Sequence, residues 1–342
     1  MHRAMILGCG ARAHWHACVY PQVEGMELVA CCELDPERAQ AFATEFGIPA
    51  VYQDYATALA EARPEVVHIV TNPTRRVAEV EAAASAGVRA VILEKPIAIR
   101  PGDLRALADI ERRTGLHILT NSQRRYFPEA TSGALHAIIH ERLGDLYFVR
   151  CSTRGNLMGM GPHLMDWLLC FLNEARPEAV WAMGYGRSDE GYQRTHLAPE
   201  HLLAEYWVPG NVRVVLDCDP LAVGTPGDAR GFNCHLEFHG TQGRLSVMQL
   251  ASYWYQTAGM ADPVRHEADP DNHNLGQREL TRAVVALLEE GVPHRTRLEI
   301  ERPVFEALFA AEQSLFEGRR IDLPTDFDDA DWEALMQRLA AP

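Results

Sequence analysis

One lysine stands in this chain of 342 residues. The other 31 of its 32 basic side chains are arginine, and Lys95 sits in the stretch Ala90-Val-Ile-Leu-Glu-Lys-Pro96. An amine is a compact donor whose pKa burial can bring into a useful range, which a guanidinium cannot match. The four apolar residues before Glu94 read as a buried parallel strand. Glu94 and Lys95 therefore fall at its C-terminal end, the edge where open α/β sheets bind their ligands. The plain alternative is a surface lysine left over in an arginine-biased chain. A second pair, His163 and Asp166, lies at i, i+3 on one face of an apolar helix within residues 155–171. It reads either as a hydrogen-bonded core histidine or as a proton-transfer group.

A third cluster has the chemistry of a dinucleotide site. Gly8-Cys-Gly10-Ala-Arg-Ala13 follows the short apolar run 4–7 and precedes a helix over 14–20, giving G-x-G-x-x-A between strand and helix. Such glycines allow a tight turn and close backbone approach to a pyrophosphate. A second strand ends in Glu33, 23 residues after Gly10, where a ribose-binding carboxylate belongs. Glu33 argues for NAD, while Arg38, one turn into the next helix, keeps NADP open. Thr71 and Asn72 end a further strand on the same edge and either line the site or make an ordinary strand-to-helix turn before Pro73.

These residues need a frame to hold them. Strands near 4–7, 27–33, 50–52, 66–71, 90–93 and 117–122 alternate with helices near 36–46, 55–62, 75–86 and 102–114, which predicts a doubly wound parallel sheet over residues 1–122. Residues 123–342 read as an α+β domain. It has a helix over 129–141, a strand over 146–153, and period-two alternation from 178 to 250 that marks a large, mainly antiparallel open sheet. An irregular stretch then covers 251–276, helices follow near 277–290 and 299–317, and an acidic helix start lies at 326–331. The net charge of −15 disfavours nucleic acid and anionic membranes as partners. The eight cysteines include no C-x-x-C pair and imply neither a metal site nor a disulfide frame. The start of the chain enters a strand directly, so a cytoplasmic location is expected.

Together, Gly8-x-Gly10-x-x-Ala13-x-x-His16, Glu33-Leu-Asp-Pro-Glu-Arg38 and Glu94-Lys-Pro96 resemble the Gfo/Idh/MocA oxidoreductase family, and the similarity runs over nearly the whole chain. The resemblance implies a Rossmann domain that binds NAD through Gly8, Gly10, Ala11, Arg12, Ala13, Glu33, Arg38, Thr71, Asn72, Glu94 and Lys95. It implies that Lys95 contacts both the nicotinamide ribose and the reacting substrate oxygen. Gln123-Arg-Arg-Tyr-Phe-Pro128 is similar to the family's junction leaving that domain, which makes Gln123 and Arg124 substrate contacts. His163 matches the histidine of the D-x-G-x-H-x-x-D motif, which moves the substrate proton, with Asp166 orienting it. Gly159 stands where the motif's first aspartate belongs. The implied activity is hydride transfer between the nicotinamide cofactor and a sugar, polyol or related hydroxylated molecule, in a homodimer or homotetramer built through the C-terminal sheet. A redox-neutral lyase or glycosidase holding NAD, and a non-catalytic NAD- or sugar-sensing protein, are the alternatives.

Overall fold

The computed structural model describes residues 1–189, 196–222 and 234–340. The chain groups into two compact units. The first comprises Met1–Ala98, Asp103–Tyr126 and His273–Glu301, and the second Ile99–Gly102, Phe127–Asn272 and Arg302–Pro342.

In the first unit six strands alternate with helices: β1 (His2–Leu7), α1 (Ala11–Ala17), β2 (Met26–Cys32), α2 (Pro36–Phe46), β3 (Ala50–Tyr52), α3 (Tyr55–Ala62), β4 (Val66–Ile69), α4 (Arg76–Ser85), β5 (Ala90–Leu93), α5 (Pro101–Thr114) and β6 (His117–Thr120). The strands pair in parallel in the order β3-β2-β1-β4-β5-β6. This is the expected doubly wound sheet, and its order reverses between β1 and β4. Every residue of β4 and β5 is buried, as continuous apolar runs in a sheet covered on both faces require. Local signals set the helix ends. Asp35 caps α2 by accepting from the N–H groups of Glu37 and Arg38, Pro36 occupies the first helical position, and Gly47 closes the helix at φ 64°.

The second unit begins with the short helices α6 (Pro128–Thr131) and α7 (Ala134–Ala137) and a π-helical turn at Ile138–Arg142. The sequence predicts one helix over 129–141. Gly133, at φ 77°, interrupts it. Then come β7 (Leu146–Thr153), α8 (Leu157–Phe171), β8 (Ala179–Ser188), β9 (Ala198–Val208), β10 (Val212–Cys218), β11 (Cys234–Gly240), β12 (Gly243–Val247), β13 (Tyr253–Thr257) and β14 (Val264–His266). After α9 (Asn272–Glu290) and α10 (Leu298–Glu317), β15 (Ile321–Asp322) completes a nine-stranded sheet in the order β14-β13-β12-β11-β7-β10-β9-β8-β15, and α11 (Asp329–Ala340) follows. Within that sheet the β7–β10 pair is parallel and the other neighbours are antiparallel, the mainly antiparallel sheet expected. Stretches 190–195 and 223–233 of the alternating region lie outside the described residues. The stretch expected to be irregular, 251–276, contains the β13–β14 hairpin, because its aromatic run pairs with β12 through Tyr255 opposite Leu245.

The division of the chain differs from a cut after residue 122. The first unit extends to Tyr126 and takes back His273–Glu301. The cause is packing: Leu280 and Val284 of α9 are buried with Ala4, Met26, Val66, Ala90, Ile92 and Leu119 of the parallel sheet. A backbone bond from Thr120 N–H to the Thr296 carbonyl, 2.9 Å, ties the returning chain to β6.

Candidate functional site

The strand register puts the chemistry of the first unit on one line. Leu7 lies opposite Ile69, Ile69 opposite Leu93, and Leu93 opposite Thr120. The residues just past these positions, Gly8, Val70, Glu94 and Asn121, therefore leave the sheet at one level. Their N–H groups donate to the carbonyls of Cys32, Leu7, Ile69 and Leu93. Gly8 is required there: its φ is +89°, and a Cβ would stand 2.8 Å from the Val70 carbonyl oxygen. Gly10 faces open space, with nothing within 4 Å of where a Cβ would lie, and no side chain caps the first turn of α1. Ala13 is fully buried against Ile6, Cys31 and Phe42, which explains the small residue at the third motif position. Ala11 is exposed at the helix start.

Glu33, just past β2, is tied to this loop. One carboxylate oxygen accepts the Cys9 N–H at 3.0 Å and the other the Asp35 N–H at 3.2 Å. Each oxygen keeps a second lone pair for a hydroxyl. Arg38 is half exposed and already engaged, 3.2 Å from Asp35 and 3.6 Å from Glu33. Thr71 and Asn72 lie on the same edge, but their side chains turn to local partners. The Thr71 hydroxyl donates to Glu79 at 2.5 Å, and the Asn72 side chain accepts from Thr74 to start the 3-10 turn Pro73–Arg75.

Glu94 is the most tightly held group on this edge. Arg12 Nε donates to its Oε1 at 3.0 Å, while Asn121 Nδ2 at 2.8 Å and His16 Nε2 at 3.1 Å converge on its Oε2. Burial alone would raise its pKa. The Arg12 charge, the His16 hydrogen bond and the charge of Lys95 outweigh that, and hold it far below the usual carboxylate range. Lys95 follows, itself buried, before a cis Pro96. This amine thus stands beside a permanently ionised carboxylate.

The groups behind Glu94 are not marked by sequence motifs: His16 is only a motif letter, and Asn121, His68 and Tyr20 belong to none of the motifs above. The His68 ring, wholly buried in β4, lies 2.9 Å from His16, Nδ1 to Nδ1, and 2.7 Å from the Tyr20 hydroxyl through Nε2. Burial, then the neighbouring His16, pushes the His68 pKa well below its ordinary value. A histidine inside the run Val66-Val-His-Ile-Val is the signal that was available, because a fully buried imidazole in a central strand needs partners.

Gln123 and Arg124 lie buried on the 3-10 turn Gln123–Tyr126 at the end of the first unit. In the second unit, His163 and Asp166 are buried one turn apart on α8. Gly159, at the third position of that helix, donates its N–H to the capping Asn156 side chain at 2.8 Å.

Residues 2–122 match the Gfo/Idh/MocA family, described as an oxidoreductase family with an NAD-binding Rossmann fold. The chain is 33% identical over 154 residues to D-apiose dehydrogenase of Paraburkholderia graminis, covering 44% of this chain. That match spans 40% of the relative's own length, less than half. Identity to the trans-1,2-dihydrobenzene-1,2-diol dehydrogenase of Mus musculus is 25% over 269 residues, covering 71% of this chain and 72% of that one. Among solved structures, an Agrobacterium radiobacter oxidoreductase in complex with NAD+, L-tartaric acid and magnesium has the same fold, with a TM-score of 0.77 at 19% identity, covering 94% of this chain and 98% of that one. Residues 2–122 are thus similar to the NAD-binding Rossmann domain of the Gfo/Idh/MocA oxidoreductase family.

Proposed function

We propose that the chain is an NAD-dependent oxidoreductase that moves a hydride between the nicotinamide and a sugar, polyol or related hydroxylated small molecule. The observation that carries this reading is Lys95, the one amine of the chain, buried next to a fully hydrogen-bonded Glu94 at the C-terminal edge of the parallel sheet. The dehydrogenase names of the apiose and dihydrobenzenediol relatives support the substrate class.

The residues present fit a dinucleotide. The left-handed Gly8, the open space at Gly10 and the uncapped first turn of α1, which includes Ala11 and Arg12, suit a pyrophosphate. Glu33, with lone pairs to spare, suits a ribose diol, and Arg38 is held by Glu33 and Asp35 in a way that favours NAD over NADP. The nicotinamide, when bound, supplies the hydride chemistry. Lys95 as a cation lowers the energy of a developing alkoxide, and His163 takes the substrate proton with Asp166 orienting it. Acid–base help of this kind is worth roughly 10² to 10⁴ in rate. Gln123 and Arg124 complete the substrate contacts.

Gly159 favours one second reading, a redox-neutral lyase or glycosidase that holds NAD, because no carboxylate stands at that motif position. Product analysis over a sugar and polyol panel decides between them: net oxidation with stoichiometric NADH supports the dehydrogenase, and net conversion without added cofactor supports the lyase. Turnover of no panel member with NAD tightly bound would overturn both.

The outward face of β8 and β9 carries Trp181, Met183, Tyr185 and Leu203 in exposed positions, with Met183 paired to Leu203. The buried Tyr206 points the opposite way and donates to the Ala307 carbonyl of α10. We read the outer stripe as the homo-oligomer surface, and sedimentation of Met183→Glu tests it by the loss of a dimer or tetramer. Among the described residues no helix is long and apolar enough to cross a membrane. Buried thiols at Cys9, Cys31, Cys32, Cys151, Cys218 and Cys234 suit the reducing compartment of the cytoplasmic placement expected above.

A further inference from the structure

A carboxylate can only accept, so the hydrogen bonds behind Glu94 have a direction. His16 Nε2 must carry a proton to reach Glu94 Oε2 at 3.1 Å. The Asn121 Nδ2 and His16 Nε2 atoms, 3.1 Å apart, are then two donors side by side on one oxygen. A neutral His16 is left with Nδ1 as an acceptor, so the 2.9 Å contact requires a proton on His68 Nδ1. A neutral His68 is in turn left with Nε2 as an acceptor, so the Tyr20 hydroxyl donates to it across 2.7 Å. The reverse order needs one more proton. His16 would be a cation, His68 would donate from Nε2, and the Tyr20 hydroxyl would turn to Met26 Sδ, 3.3 Å away.

We infer that Tyr20, His68 and His16 form a one-way relay that locks the rotamer of Glu94 and thereby the electrostatic setting of Lys95, which makes them positioning residues for the reaction. All four side chains behind the edge are buried, so no water can substitute for a missing link without a cavity opening. Burial, then the neighbouring His16, depresses the basicity of His68, which suits a neutral ring at that link. Other charges also face this group: Arg12 from α1, Lys95 after β5, and Arg76 and Glu79 from α4, with Glu94 and Glu79 both acting on the buried Arg76. The relay adds a directional link that none of those fixed charges supplies. The kinetic part of the inference rests on the proposed function, whereas the tautomer part does not.

The test is side-chain ¹⁵N–¹H NMR of the full chain labelled at histidine, assigned with His16→Gln and His68→Gln. We expect the Nε2–H tautomer for His16 and the Nδ1–H tautomer for His68 at neutral pH, kept in Tyr20→Phe because the Nδ1 acceptor of His16 still demands the His68 proton. Finding Nδ1–H on His16, or Nε2–H on His68, in the wild-type chain overturns the relay whether or not turnover is ever detected. In the active enzyme, Tyr20→Phe and His68→Leu should each lower kcat by roughly 10-fold and move its pH profile, leaving the Kd for NAD unchanged. His68→Gln, which keeps a donor toward His16, should recover most of that loss. Variants that lose only thermal stability, with kcat and its pH profile intact, would reduce the relay to a packing role and refute the inference.

Discussion

Replacing Glu94 by glutamine removes one charge while keeping the shape, and the geometry sets the cost. The amide can keep its oxygen toward Asn121 and His16 only by turning its NH₂ group toward Arg12, two donors face to face. The Arg12 hydrogen bond at 3.0 Å is then lost. Arg12 is partly exposed and can swing into water, so the loss is set at about 1 kcal/mol, below the ~1.5–3 kcal/mol of a charged hydrogen bond. The bonds from Asn121 and His16 change from charged to neutral, about 1 kcal/mol each. The sum is ~3 kcal/mol of local stability. Five of the six tryptophans, at 167, 181, 207, 254 and 332, lie in the second unit, so fluorescence would mostly report the wrong half. Hydrogen exchange of peptides spanning β5 and β6 reads the right one. The sign with pH follows from the depressed pKa of Glu94. Its contribution is fully present above the unfolded carboxylate value of about 4.3 and is lost as pH falls toward the folded value, so wild type and Glu94→Gln should converge only in acid. A difference below about 0.5 kcal/mol at pH 7 would refute the reasoning.

Three further outcomes follow from single residues. His294 is buried, donates to the Leu280 carbonyl and has its pKa lowered to about 4 by burial. The unfolded chain therefore binds this proton first, and up to ~3 kcal/mol of stability should be lost as pH falls from about 6.5 to 4, then level off; urea midpoints should show the wild type losing more than His294→Gln over that range. Gly8→Ala forces a side chain into the left-handed region against the Val70 carbonyl and should cost about 1–3 kcal/mol, read as a lower Tm with weakened NAD binding. Glu33→Ala removes the carboxylate that anchors the Cys9 N–H and should weaken NAD roughly 10-fold with little effect on NADP, measured by fluorescence titration.

The sequence made legible what local chemistry dictates. Gly8, Gly10, Glu33, Glu94 and Lys95 fall where strand ends and motif spacing put them, because parallel strands end in register and their C-terminal residues meet at one edge. The relay behind Glu94 was not legible, since His16 and His68 are 52 residues apart and become neighbours only when β4 pairs beside β1. Nor does the amphipathic pattern of α9 say which sheet it covers. Only the packing of Leu280 and Val284 against Ala90 and Ile92 assigns it to the first unit. The helix expected over 129–141 failed at one residue, Gly133, whose backbone freedom outweighed the propensity around it.

The central claim is that Lys95 works as an amine, and Lys95→Arg tests it most directly. It keeps the charge beside Glu94 but replaces a compact donor with a planar fork. The measurement is single-turnover NADH formation at saturating NAD with a sugar or polyol that the wild type oxidises, alongside the Kd for NAD. The account predicts that the Kd is kept and turnover abolished. An unchanged kcat in Lys95→Arg would contradict it.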